Sequence, residues 1–174
     1  MIITISGKAG SGKSTIAKEL AKKLKLQHYS IGDLMRQIAK ERGISLLELS
    51  KLAEEDKSID KELDKKQIEL KKKDNFVIDG RLTAFFIPHA TLKVYLECED
   101  TIRAERILKE KRKDESAQSI KETIQQITKR ENSERKRYKD YYNVDYYDRK
   151  LYDVVVDTSH LGIGDVVKRI MDSL

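Results

Sequence analysis

Residues 7–14 read GKAGSGKS, which fits the spacing G-x-x-x-x-G-K-[ST], and the apolar run Ile2, Ile3, Thr4, Ile5 stands just before it. Residue types in this order make a phosphate-binding loop. Gly7, Gly10 and Gly12 can take the positive φ angles that turn successive backbone N–H groups inward, and a helix beginning at Lys13 adds the positive end of its dipole. Lys13 is then expected to reach the β and γ phosphates of a nucleoside triphosphate, and the Ser14 hydroxyl to coordinate Mg²⁺. Lys8, Ala9, Ser11 and Thr15 complete the run and belong to the same expected ATP-binding surface.

Three further groups carry charge at informative spacing. Arg36 follows Asp33 by three residues, close to one helical turn, and a guanidinium can grip a monophosphate through two parallel hydrogen bonds. The same pair also reads as an Asp33 N-cap with a surface Arg36. VIDGR at 77–81 ends an apolar strand with a carboxylate, a glycine and a cation, so Asp79 suits water in a Mg²⁺ shell and Arg81 suits a phosphate. Read structurally, Asp79-Gly80 is a common turn dipeptide. Arg130, Glu134, Arg137 and Tyr141 stand at i, i+4, i+7 and i+11 and share one helix face, from which Arg135 points away. Such a face also reads as a helix stabilised by Glu–Arg pairs.

The elements that must position these residues alternate between strand and helix, the pattern of a parallel sheet covered by helices. Strands are expected at 2–6, 28–30, 76–78, 92–96 and 154–156, where short runs rich in β-branched residues occur. A helix from Lys13 to about Leu24 carries Ile16, Ala17, Leu20, Ala21 and Leu24 at a 3.6-residue period. Residues 33–73 are expected as two or three small helices, with Ser45 and Glu48 spaced as a capping box. Residues 108–150 hold the polar stretch KEKRKDESAQS, then a long helix with a tyrosine-rich end. Both insertions leave the sheet after strands two and four, at the carboxyl edge where open parallel sheets bind ligands.

Size and composition bound the rest. A chain of 174 residues suits one buried core, expected as a single domain. The net charge of +6 suits a polyanion, nucleotide or nucleic acid alike. A single cysteine, Cys98, cannot form an internal disulfide, and no leader or membrane span is legible, so the expectation is a cytoplasmic protein. His28, His89 and His160 are scattered, without spacing that suggests acid–base work.

Four separated blocks, GKAGSGKS at 7–14, SIGDLMR at 30–36, VIDGR at 77–81, and RENSERKRY at 130–138 followed by YDVVVDTS at 152–159, resemble the nucleoside monophosphate kinases. They look most like the cytidylate kinases of the short archaeal type. The resemblance implies an α/β P-loop NTPase three-layer fold, with a five-stranded parallel sheet and helices on both faces. It also implies a helical acceptor-binding insertion at 33–73 and a lid at about 108–118. By resemblance the reaction moves the γ phosphoryl of ATP·Mg²⁺ to CMP or dCMP. Ser30, Gly32, Asp33, Arg36, Asp79, Gly80, Arg81, Glu134 and Arg137 would then hold the acceptor. Lys13, Arg81, Arg130 and Arg137 would serve catalysis, and Ser14, with Asp79 through water, would hold Mg²⁺. Arg103 and Arg106 resemble arginines near the donor nucleotide, and read equally as salt-bridged helix residues. The longer bacterial cytidylate kinases resemble DGRD where this chain has Leu82, so the partner of the cytosine amino group must come from elsewhere, in the helices between Asp33 and Lys73. The expected protein is a monomer with no stable nucleic-acid partner. Adenylate or uridylate kinase chemistry is the near alternative, and a basic P-loop ATPase acting as an RNA- or protein-linked switch, with the tyrosines at 138, 141, 142, 146 and 147 as the candidate RNA platform, is the distant one.

Overall fold

The computed structural model describes residues 1–110 and 119–174. Most of the segment expected as a lid therefore lies outside the described residues. Five strands, β1 (Ile2–Gly7), β2 (Gln27–Ser30), β3 (Phe76–Asp79), β4 (Leu92–Glu97) and β5 (Val154–Asp157), form one parallel sheet in the order β2-β3-β1-β4-β5. Each expected strand is present, extended by one residue at one end.

Side chains on a strand alternate between faces, and the sequence uses both. Ile3 and Ile5 of β1 point to a core shared with Val77, Val94 and Val156. Ile16, Ala17 and Leu20 of α1 (Lys13–Leu24), and Val166, Val167 and Ile170 of α8 (Ile163–Met171), cover that face. Ile2 points the other way, into a core with Phe76, Ile78 and Tyr95. There Leu70 of α4 (Lys57–Leu70), Phe86 of α5 (Thr83–Phe86) and Tyr138 of α7 (Ile120–Tyr142) close the third layer. The insertion after β2 makes a smaller core of its own. Met35 and Ile38 of α2 (Ile31–Glu41) and Leu46 and Leu49 of α3 (Leu46–Glu55) meet Ile59 and Leu63 of α4 there. Ser45 and Glu48 cap α3 reciprocally, as their spacing predicts.

Register brings the chemistry to one edge. Ile5 of β1 pairs with Asp79 of β3, and Ser30 of β2 pairs with the same Asp79, so the phosphate loop, VIDGR and the start of α2 emerge side by side. The chain steps outward from β1 to β2, returns through β3, and crosses to β4. That reversal opens a crevice at the carboxyl ends of β1 and β3. Gly7 has φ 144°, and a Cβ there would stand 2.4 Å from the Leu96 carbonyl oxygen, so only glycine lets β1 turn into the loop beside β4. Helix α6 (Asp100–Lys109) follows β4 on the other side of that loop.

Candidate phosphoryl-transfer site

The loop between β1 and α1 has the backbone its glycines imply: Gly10 and Gly12 take φ 75° and 89°. It is pinned from behind. Arg103 of α6 donates to the Ala9 carbonyl at 2.8 Å, and the Thr158 hydroxyl donates to the Ser11 carbonyl at 3.1 Å. Gly10 rests against Arg103, whose carbonyl oxygen would be 2.6 Å from a Cβ at that position. Helix α1 then begins with no acidic residue in its first turn, which leaves its positive end for an anion.

Lys13 folds its ammonium back onto the loop and donates to the Lys8 carbonyl at 2.6 Å. Burial, then the neighbouring Arg81, drives its pKa well below the ordinary lysine value, with Asp79 and Glu134 opposing. A phosphate entering the loop would supply the counter-charge this ammonium lacks.

Asp79, at the end of β3, is 2% exposed and gathers three partners. The Ser14 hydroxyl donates to Oδ2 at 2.8 Å, the Ser30 hydroxyl to the same oxygen at 3.1 Å, and His28 Nε2 lies 2.7 Å from Oδ1. Glu134 does the same for cations. Arg81 Nε donates to its Oε2 at 2.7 Å, and Arg130 Nε to its Oε1 at 3.0 Å. Arg81 also reaches the Gly7 carbonyl at 3.2 Å, so the arginine after β3 touches both the loop and the long helix. Burial pushes the Glu134 carboxyl up, but Arg81 and Arg130 outweigh it and hold it at about 2.

One cavity joins these groups. Gly10, Gly12, Lys13, Ser14, Asp79, Arg81, Arg130 and Glu134 line one end, and Gly32 and Arg36 line it from α2. Arg36 pairs with Asp33. The cap of α2 is Ser30, which accepts from the Asp33 amide at 3.2 Å, so the N-cap reading of Asp33 is corrected by three residues.

Two of the expected site residues are engaged away from the cavity. Arg137, on the face shared by Arg130 and Glu134, is 1% exposed and turned to the insertion rather than to the cavity. Its Nε donates to Asp60 Oδ2 at 2.8 Å and its Nη1 to the Ser50 carbonyl at 2.9 Å. Position along the helix axis accounts for this: Arg137 lies one turn past Glu134, where α7 faces Ser50 of α3 and Asp60 of α4. Arg103 is likewise a buried bolt, donating to Glu131 at 2.6 Å as well as to Ala9. Arg106 donates to the Thr158 carbonyl at 2.6 Å beside Gly12, and Arg135 points away to Asp145 at 2.7 Å, as its position on the wheel predicts. The tyrosines pack rather than form a platform. Tyr138 and Tyr146 are buried ring to edge at 5.8 Å, and the Tyr141 hydroxyl donates to the Ala53 carbonyl at 3.0 Å.

Comparison with known proteins gives the family. A model of the cytidylate kinase-like family matches residues 2–160. The chain belongs to the cytidylate kinase-like family. The cytidylate kinase of Pyrococcus abyssi is 40% identical over 177 residues, covering 100% of this chain and 95% of that protein. That of Methanocaldococcus jannaschii is 40% identical over 181 residues, covering 100% and 99%. Among solved structures, the shikimate kinase of Bacteroides thetaiotaomicron superposes with a TM-score of 0.67 at 13% identity, over 99% of this chain and 97% of that one, a likeness of fold.

Within this cytidylate kinase-like chain, His28 and Asp60 escaped the sequence reasoning. His28 reaches Asp79 because β2 lies beside β3, and nothing in the spacing of the histidines carries that adjacency. Asp60 opens a charged helix face, KSIDKELDKKQIEL, in which no acid stands out.

Two outcomes follow from these placements. Truncating one partner of a buried pair strands the other, so Arg137→Ala should lower unfolding free energy by about 3–5 kcal/mol, whereas Arg135→Ala should cost about 1 or less. Urea titration of both variants checks the difference. Glu134, depressed from its ordinary 4.5 to about 2, contributes stability that is full above pH 4.5 and lost as pH falls toward 2. Wild type should thus lose on the order of 3 kcal/mol more than Glu134→Gln between pH 5 and 2, read from urea midpoints across that window.

Proposed function

We propose that this chain transfers the γ phosphoryl of ATP, bound with Mg²⁺, to the phosphate of CMP, and of dCMP, giving ADP and CDP or dCDP. The observation that carries the reading is the cavity in which Lys13, Arg81 and Arg130 converge beside an anion-binding loop, with Arg36 facing them from the insertion. Phosphoryl transfer passes through a loose transition state with charge on three equatorial oxygens, and preorganised cations stabilise it without a covalent intermediate. Family membership makes the enzyme class a phosphotransferase, and relatives of 40% identity that bear the name cytidylate kinase support the acceptor.

Lys13 would bind the β and γ phosphates of the donor, and Arg81 and Arg130 the migrating phosphoryl and the acceptor phosphate. Arg36 would hold the acceptor phosphate from the other side. Arg106, beside Gly12, would meet the donor, and Arg103 would steady the loop that binds it. The Ser14 hydroxyl and the Asp79 carboxylate form a hard oxygen pair 2.8 Å apart, which fits Mg²⁺ held by one direct and one water-mediated contact. Mg²⁺ there would neutralise phosphate charge during transfer. Among the described residues no cluster of three or more His, Cys, Asp or Glu could hold a metal ion by itself. No described helix is long and apolar enough to cross a membrane. The reading is completed by a monomer acting on free nucleotides in the cytoplasm.

Steady-state rates with CMP, dCMP, UMP and AMP at matched ATP·Mg²⁺ test the assignment. CMP should give the highest kcat/KM, and a preference for AMP or UMP would reject the cytidylate reading. Lys13→Ala should remain folded and lose two to three orders of magnitude in kcat, about 3–4 kcal/mol.

A further inference from the structure

The end of the cavity away from the phosphate loop is built by one face of α4. Asp60, Leu63, Asp64 and Gln67 stand at i, i+3, i+4 and i+7, and all four line the cavity, with Met35, Leu82 and Tyr138 around them. Two of the three polar positions that α4 gives this wall are already engaged. Asp60 is paired to Arg137, and the Tyr142 hydroxyl donates to Asp64 Oδ2. Gln67 is different. It is 3% exposed, and its Oε1 is buried without a hydrogen-bond partner among the described residues.

A buried amide oxygen with no partner is costly and calls for a group that completes it, and this one belongs to a side chain that lines the cavity. Replacement by leucine would fill the same space without the penalty, and leucine already stands next to it at 63. The unpaired oxygen therefore points to a bound partner that donates.

We propose that Asp64 and Gln67 read the exocyclic amine of the acceptor's base. This rests on the CMP reading above and names the residues that make it selective. An amine carries two N–H groups, and a carboxylate and an amide oxygen one turn apart on a helix offer two acceptors to receive them. Leu63, Leu82 and Met35 supply the apolar walls for the ring. Uracil presents a carbonyl oxygen at the same position, which would face the Asp64 carboxylate with no proton between them. Gln67 can rotate its amide to donate to that carbonyl, so Asp64 carries the discrimination and Gln67 mainly affinity. Leu82 fits this arrangement. The polar group absent from the turn after β3 is replaced by two on the helix across the cavity.

Wild type, Asp64→Asn and Gln67→Leu would be compared for kcat/KM with CMP and UMP at saturating ATP·Mg²⁺, with KM for ATP and melting temperature measured on each. Asparagine keeps an acceptor for Tyr142 and gains an N–H for a uracil carbonyl. Asp64→Asn should therefore lower the CMP-to-UMP ratio by roughly ten- to a hundredfold while KM for ATP stays within about twofold. Gln67→Leu should raise KM for CMP by about tenfold. It should melt at or above the wild-type temperature, because an unpaired polar group has gone; a scaffold role for Gln67 would instead lower it. Folded variants whose CMP-to-UMP ratio and KM for CMP match wild type would overturn the base assignment while leaving the CMP reading intact. A wild type that prefers UMP or AMP would reject that reading, and this one with it. Should Asp64→Asn not fold, KM and melting temperature of Gln67→Leu decide.

Discussion

Positive charge has to be assembled before the phosphates arrive, and the structure depends on how that repulsion is contained. Two unit charges about 4 Å apart at an effective dielectric near 20 repel by about 4 kcal/mol, a large part of the stability of a small domain. Glu134 meets this by accepting from Arg81 and Arg130 at once, one oxygen for each. Asp79 plays the matching part below, where it binds Ser14, Ser30 and His28 and lowers the local potential around Lys13. Removing either acid would leave cations facing one another in a poorly solvated cavity. Both are therefore structural requirements of the site, whatever they do during transfer.

The same economy explains the bolts behind the phosphate loop. A loop whose amides face a ligand must have its carbonyls held elsewhere, and Arg103 and Thr158 take those of Ala9 and Ser11. Arg103 also meets Glu131 on α7, one turn before Glu134, so the loop, α6 and the helix carrying Arg130 are fixed to one another. Arg137 extends the tie to α3 and α4 through Ser50 and Asp60. Through these contacts α7 joins the donor side of the cavity to the insertion that lines its far end.

Much of this was legible in the residues. The phosphate loop declares itself through fixed glycines, the five strands through short β-branched runs, and the insertion helices through capping and charge. These are local signals, written within a turn or a strand. What the sequence left open is tertiary. Arg137 shares a helix face with Glu134, and only the position of α4 decides that it pairs with Asp60. His28 depends on β2 lying next to β3, and Ser30 takes the cap that Asp33 was equally suited to provide. Gln67 shows the limit most clearly, because an amide in a lysine-rich helix looks solvent-facing until α4 is laid across the cavity with that face inward.

A single cluster of cations, held by Glu134 and Asp79, would serve both nucleotides at once. The direct test is calorimetric titration with a molecule in which adenosine and cytidine are joined 5′ to 5′ by five phosphates. One molecule should bind per chain, compete with both ATP and CMP, and show an affinity at least about a hundredfold above either nucleotide, because the second half binds at high effective concentration. Binding no tighter than ATP, with CMP still able to enter, would show that donor and acceptor do not share the cluster and would contradict the account.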